Sequence, residues 1–425
     1  MKKRSQFFAV MIAISLCGAI SHVVTQAKEV PFVTTPMLAA GGTYSIALKS
    51  DGTVWAWGNI DRIKSDIGTI TDLRVPAQVQ GLTNIIAIST GGYHALALKS
   101  DGTVWAWGCN NRGTLGDGTT TDRSVPVRTG NLTNVIAIAA GDSYSLALKK
   151  DGSVWAWGDY IWDWPDDGVL YEQLLPLNLV PQQMQEEQLK DIDAIAASQF
   201  HCLVAKNDGT VWGWGRSIST NHMVLEQNLG SAIAIAVGYN VSMAIKNDHT
   251  VWAWGDNREG QLGIGTTIDS TTPVQVQSLS NVTAIAAGSK HALATKNNDT
   301  VWAWGYNAYG QLGDGTAVNR STPVQVQGLE NVNAIAAGSV HSLALRSDGT
   351  VWAWGWGSYG QLGDGNATEI QSTPVQVIDL DDESGVFNVF HSTSKPKTIF
   401  STSYESNYRN WVKFIFLFGW IWMWF

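Results

Sequence analysis

The sequence is poor in cysteine, in charge and in long apolar runs, and each shortage removes a class of protein. Three cysteines in 425 residues, one of them at Cys17, cannot form a disulfide framework. Only 15% of the residues are charged, and acidic side chains outnumber basic ones 36 to 27. A net charge of −9 repels phosphate backbones and excludes nucleic acid as the main partner. No apolar run reaches the roughly 20 residues that a bilayer-crossing helix needs. Gly-x-Ser-x-Gly and phosphate-loop motifs are missing, and no Ser/His/Asp or Cys/His set can be assembled, so the chain is read as a non-enzyme without cofactor. In contrast, 43 glycines and 21 tryptophans call for many turns and a regular place to bury indoles.

The chain begins with Lys2, Lys3 and Arg4, then an apolar stretch from Phe7 to Ile20, then Thr25-Gln26-Ala27 as a small-x-small site. This is the order of a cleaved signal peptide over residues 1–27, and it places the mature protein outside the cytosol, secreted or in the cell envelope.

Self-comparison decides the fold. Trp-Ala-Trp-Gly begins at Trp55, Trp105, Trp155, Trp252, Trp302 and Trp352, and Trp212-Gly213-Trp214-Gly215 is a seventh copy. The spacings are 50, 50, 57, 40, 50 and 50 residues. In the clearest unit, Ala334-Ile335-Ala336-Ala337-Gly338 predicts a short inner strand and Ser342-Leu343-Ala344-Leu345 a second. Ser347-Asp348-Gly349 is a hairpin turn, Val351-Trp352-Ala353-Trp354 a third strand, and Pro374-Val375-Gln376-Val377 a fourth. A loop, Gly360-Gln361-Leu362-Gly363-Asp364-Gly365, joins the last two. Four short antiparallel strands cannot bury both faces alone, but sheets stacked around an axis can. The reading is an all-β, seven-bladed propeller over residues 36–380. Its ring is expected to close by the strand Pro374-Val375-Gln376-Val377 completing the first blade.

The pattern Ala-Ala-Gly-x-x-His-x-Leu-Ala-Leu, Ser-Asp-Gly-Thr-Val-Trp-Ala-Trp-Gly, Gly-Gln-Leu-Gly-Asp-Gly resembles the regulator-of-chromosome-condensation repeat, in its bacterial, secreted type. The resemblance implies a seven-bladed propeller. It is unspecific for function, because propellers host unrelated activities. The family includes a nuclear exchange factor for a small GTPase, ubiquitin-ligase subunits and secreted bacterial proteins, one of them a β-lactamase inhibitor.

The motif tryptophans Trp55, Trp57, Trp105, Trp107, Trp155, Trp157, Trp212, Trp214, Trp252, Trp254, Trp302, Trp304, Trp352 and Trp354 are expected to pack between blades. His94, His201, His291 and His341 share one repeat position, held elsewhere by Tyr44, Tyr144 and Val241. That interruption opposes a metal ring and predicts a structural hydrogen bond within each blade. The Gly-Asp-Gly loops offer too few oxygen ligands for calcium, so no metal is expected.

The repeat breaks in three places: at residues 59–71, at 160–168 with 182–190 following, and at 216–227. Equivalent loops project from one face, so these breaks gather on one rim. Tyr160, Trp162, Asp163, Trp164, Asp166 and Asp167 combine aromatics and charge outside the motif, as interface hot spots do. Trp356 is a weaker companion. The expected function is an exported, monomeric scaffold that binds another protein through the irregular loops of repeats 1, 3 and 4. The alternatives are a guanine-nucleotide-exchange-like regulator, by family analogy, and a propeller lyase or hydrolase. Residues 381–425 read as a polar linker and an aromatic tail, whose residues 411–425 either sit in a membrane interface or result from a reading-frame change.

Overall fold

The computed structural model describes residues 32–59, 73–159, 177–185, 188–199, 201–215, 220–226, 229–379 and 385–390. Within them are twenty-eight strands and no helix, arranged as seven four-stranded antiparallel sheets. The first blade holds β1 (Met37–Ala40), β2 (Tyr44–Leu48), β3 (Val54–Gly58) and β4 (Leu73–Gln78), hydrogen-bonded in that order. The last holds β25 (Val332–Ala337), β26 (His341–Arg346), β27 (Val351–Gly355) and β28 (Gln371–Gln376).

The first strand of each blade is innermost and its end lines the axis. Buried on both sides, these strands read as near-continuous alanine and isoleucine rather than alternating sequences. The second strand then reverses direction, and the third returns with the two indoles on one face. The inner tryptophan of the pair is buried in every blade: Trp57, Trp107, Trp157, Trp304 and Trp354 are fully enclosed, and Trp214 and Trp254 nearly so. The outer one is half-buried under a cation. Lys49 Nζ lies 4.2 Å from the Trp55 ring centre, Lys149 5.1 Å from Trp155, and Lys246 5.0 Å from Trp252.

The hairpin turns follow from their chemistry. Asp51 accepts from the Thr53 amide at 2.9 Å and its hydroxyl at 2.6 Å, and Trp55 Nε1 donates to that hydroxyl at 3.1 Å. The next residue is left-handed, so it is Gly52 (φ 79°) here and glycine in most blades. The equivalent bonds from Thr103, Ser153, Thr210 and Thr250, exposed to water, hold the carboxyls of Asp101, Asp151, Asp208 and Asp248 below the usual range.

The closing strand falls elsewhere than expected. β28, which contains Pro374, Val375 and Gln376, pairs with β27 and completes its own blade; the first blade has its own fourth strand in β4. The Pro-x-Gln-Val segment therefore ends each repeat rather than opening the next, and Pro76-Ala77-Gln78-Val79 is the first repeat's copy. Closure is instead direct contact between β1 and the strands β25 and β26, with Ser339 N donating to Gly41 O at 3.2 Å. The segment read as linker from residue 381 also differs. Residues 385–390 return to the propeller with Phe387 and Val389 fully buried.

Candidate binding face

In every blade the loop after the first strand and the loop after the third lie at the same end. Tyr44 at the start of β2 is paired with Gly58 at the end of β3, and the same pairing recurs as His94 with Gly108 and His341 with Gly355. One end of the ring thus carries the loops after the first and third strands, and the other carries the tight turns and the connectors between blades. The 182–190 part of the third break therefore lies away from the other breaks, because it ends β12 (Asn178–Gln183) and leads into the next blade. The three irregular loops are anchored on this loop face, leaving from Gly58, Gly158 and Gly215. Tyr160, Trp162, Asp163, Trp164, Asp166 and Asp167 lie outside the described residues, and so do residues 60–71 of the first repeat's break. Of the fourth repeat's 216–227, residues 220–225 form the blade's fourth strand rather than an irregular loop, because they pair with Trp212 and Gly213.

At the centre of the face is a cavity of about 100 Å³, ringed by Gly41, Gly91, Gly141, Ser198, Gly238, Gly288 and Gly338. These glycines are required for space, not for a left-handed backbone. A methyl on Gly91 would lie 2.0 Å from Gly141 O, and one on Gly288 would lie 2.4 Å from Gly338 O. Asp142 is the one carboxylate lining this cavity. Burial raises its pKa, and the Gly92 amide donating to it partly offsets that.

Only His201 bonds within its own blade, its Nδ1 meeting Ser198 Oγ at 3.0 Å; all four histidines reach instead, through Nε2, to the next blade. His94 Nε2 meets Ser145 Oγ of the next blade at 2.8 Å, His201 meets Ser242 at 2.8 Å, and His291 meets Ser342 at 3.0 Å. His341 meets Ser45 at 3.0 Å across the closing junction. The reason is placement: each side chain stands at the start of a second strand and points along the inter-blade seam. Ser45, Ser145 and Ser342 donate to the carbonyls of Gln361, Thr114 and Gln311, so at these sites the hydroxyl accepts from an imidazole N–H. Burial drives the imidazoles down to about 3 for His94, His291 and His341 and about 4 for His201, so they are neutral. Where the partner serine is missing, the histidine is too. Tyr44 faces a blade with Ala95 and reaches the His94 carbonyl at 2.6 Å; Tyr144 faces Cys202 and reaches the His201 carbonyl at 3.0 Å.

The loop carbonyls that hold the serines also hold the inner indoles. Trp57, Trp157, Trp304 and Trp354 donate Nε1 to Gln361, Thr114, Gln261 and Gln311 at 2.8–2.9 Å, always in the preceding blade. These four inner indoles thus bond across a blade junction, whereas outer ones such as Trp55 and Trp252 bond to the hydroxyl of their own hairpin turn. Among the described residues, neither Cys109 nor Cys202 is in a disulfide. Burial pushes the Cys202 thiol up to about 12, which leaves it unreactive.

Trp356 stands in a larger group than the sequence suggested. Tyr306, Tyr309, Trp356 and Tyr359 form a chain of ring contacts with centres 6.1, 5.5 and 5.0 Å apart, crossing from the sixth blade to the seventh. Tyr359 is 43% exposed. These tyrosines escaped notice because they sit in regular loops, one and four residues after the strand-ending glycine. A second missed residue is Glu226. It follows β16 (Thr220–Leu225) at a position that is Val79, Val276, Val326 and Val377 in other blades. Its carboxyl is buried against Trp254, and burial raises it to about 7. The fourth repeat lacks the Gly-Gln-Leu-Gly loop whose glutamine carbonyl receives the inner indole at Trp304 and Trp354, and that departure in sequence is the signal that marks this glutamate. Among the described residues, no three histidine, cysteine or acidic side chains come together as a metal site.

A family model described as RCC1-like domain matches residues 63–393. The chain is a member of the RCC1-like domain family. No curated protein matches it in sequence. Among solved structures, Prp20p of Saccharomyces cerevisiae, described with its binding to Gsp1p and histones, is 23% identical with a TM-score of 0.69, covering 81% of this chain and 88% of that one. The same yeast protein bound to Kap60 gives 22% identity, a TM-score of 0.68 and coverage of 89% and 91%. Human WBSCR16 gives 20%, 0.66, and coverage of 77% and 94%. At these identities the likeness establishes the fold. In this RCC1-like domain the residues that recur from blade to blade lie between the blades.

Proposed function

We propose that this RCC1-like domain is an exported, monomeric, non-catalytic scaffold that binds another protein through its loop face. One observation carries the reading. The residues that recur from repeat to repeat are occupied with holding blade to blade, through His–Ser pairs at four of the seven junctions, indole–carbonyl bonds and a ring of six glycines. What remains on the loop face is non-repeating: the aromatic chain from Tyr306 to Tyr359, and the irregular loops of repeats 1, 3 and 4 with Trp162 and Trp164. Aromatic groups rimmed by polar residues supply binding energy at protein interfaces. The structural neighbour Prp20p also binds proteins, Gsp1p and histones among them, on the same fold. The acidic net charge favours a protein partner over nucleic acid. The leader over residues 1–27 supports export, and residues 411–425 supply a membrane-interface contact in addition.

The test is affinity capture from culture fluid and cell envelope, with mass spectrometry of the partner and of the bait's termini. Replacing Trp162 and Trp164 with alanine is expected to abolish capture while the thermal unfolding midpoint stays unchanged. An equal loss of thermal stability would move those indoles to a structural role. A mature protein starting at Met1 in the cytosol would end the export reading.

A further inference from the structure

Six of the seven junctions between blades are crossed by the chain itself, through a connector such as Gly81-Leu82-Thr83-Asn84-Ile85 or Gly328-Leu329-Glu330-Asn331-Val332. Leu82 and Leu329 are buried, and Asn84 and Asn331 are left-handed with φ of 57°. The connector is pinned by its backbone. Ile85 N donates to Gly52 O of the preceding blade's turn at 3.3 Å, and Asn84 O accepts from Ser100 N of its own blade's turn at 3.0 Å. The seventh junction, from the last blade to the first, has no such crossing.

Residues 385–390 fill that place. Their sequence, Gly385-Val386-Phe387-Asn388-Val389, matches the connector pattern of glycine, apolar, any, asparagine, apolar. Their backbone bonds pin the same two turns: Val389 N donates to Gly349 O of the last blade's turn at 3.0 Å, and Ser50 N of the first blade's turn donates at 2.8 Å to Val389 O, one residue later than the asparagine-position carbonyl that other connectors use. The segment lies extended, bridging Thr350 with Asn388 and Ile378 with Val386. Asn388 Nδ2 donates to Asp348 O at 3.1 Å. Phe387 has no counterpart in the other connectors. Its ring is fully buried, 5.7 Å from both Trp55 and Trp57, with Lys49 Nζ 4.6 Å from its centre.

We propose that the junction between the last and first blades is a peptide-binding site, occupied by the chain's own residues 385–390 as a detachable seventh connector. Its ligand class is an extended segment of the form Gly-Val-Phe-Asn-Val. The aromatic ring enters between Trp55 and Trp57 beneath Lys49, the asparagine reaches the Asp348 carbonyl, and the backbone bridges the two turns. Every contact is non-covalent, so a cut upstream of the segment leaves it bound by the site alone, and a free peptide of the same sequence competes for it.

The experiment uses the full chain with a protease recognition sequence placed within residues 380–384 and cut after folding. The C-terminal fragment is expected to co-elute with the propeller on size exclusion. A synthetic Gly-Val-Phe-Asn-Val-Phe peptide in excess is expected to displace it, and the same peptide with alanine for its first phenylalanine is not. With Phe387→Ala in the chain, the fragment separates on cutting, and the uncut protein unfolds about 10 °C lower. Loss of the wild-type fragment on cutting with no change in unfolding midpoint would overturn the proposal. So would equal displacement by both peptides.

Discussion

His341 Nε2 and Ser45 Oγ lie 3.0 Å apart and join the last blade to the first, 296 residues away in sequence. The same bond joins three other pairs of neighbouring blades, and in each case the histidine and the serine occur together. The unit of recognition inside this ring is therefore a pair of positions in successive repeats. From this relationship and its neighbours the following outcomes are expected.

Ser45→Ala leaves a buried imidazole N–H without an acceptor and is expected to cost about 1–3 kcal/mol. Combining it with His341→Tyr copies the Tyr44 and Ala95 arrangement, in which the phenol reaches the next blade's carbonyls. Denaturant unfolding of both singles and the double variant should show the double recovering a large part of the loss. Strictly additive costs would mean the pairing rule has no energetic content.

The four histidines are neutral in the fold, with pKa values lowered to about 3 or 4, while in the unfolded chain they take up protons near the ordinary value of 6.5. Below that value the unfolded state binds the extra protons, so stability must fall as pH drops from 6.5 toward 4. Each histidine contributes a slope of about 1.4 kcal/mol per pH unit within this window. Unfolding midpoints measured across the window check it. Replacing one His–Ser pair by Tyr–Ala should shallow the slope by about one proton.

Glu226 acts in the opposite direction. Its carboxyl is raised to about 7 in the fold from an ordinary value of 4.5, so its protonated form favours the folded state below 4.5 and that contribution is lost as pH rises through 7. Glu226→Val, which restores the residue of the neighbouring blades, is expected to stabilise the protein at pH 8 more than at pH 5. Thermal melts at the two values decide the sign.

Gly91→Ala places a methyl 2.0 Å from Gly141 O and is expected to cost about 1–3 kcal/mol or prevent ring closure. Gly230→Ala, where nothing lies within 4 Å, is the control and should leave stability nearly unchanged. Equal effects at both sites would show that the glycine ring is not sterically constrained.

The parts of this molecule legible in its sequence are those that repeat. Trp352 and Trp354 two residues apart, the Ser347-Asp348-Gly349 turn and the seven copies of the motif give blade number, strand order and turn position. The His341–Ser45 contact was not legible within a single repeat, because its two halves belong to the last repeat and the first. Comparing successive repeats pairwise would have found it. Closure was misplaced for a related reason: Pro374-Val375-Gln376-Val377 is strong enough to attract attention, whereas the connector at 385–389 hides its pattern behind Phe387. The tyrosines beside Trp356 stand in regular loops, where no departure from the repeat marks them.

The central claim, that recognition resides on the loop face, is tested most directly by site-specific photo-crosslinking. A crosslinking amino acid is placed at Tyr359 on the loop face or at Ser347 on the turn face, and the protein is exposed to culture fluid and envelope extract. The account predicts a protein adduct from position 359 and none from position 347. An adduct formed from position 347 alone would contradict it.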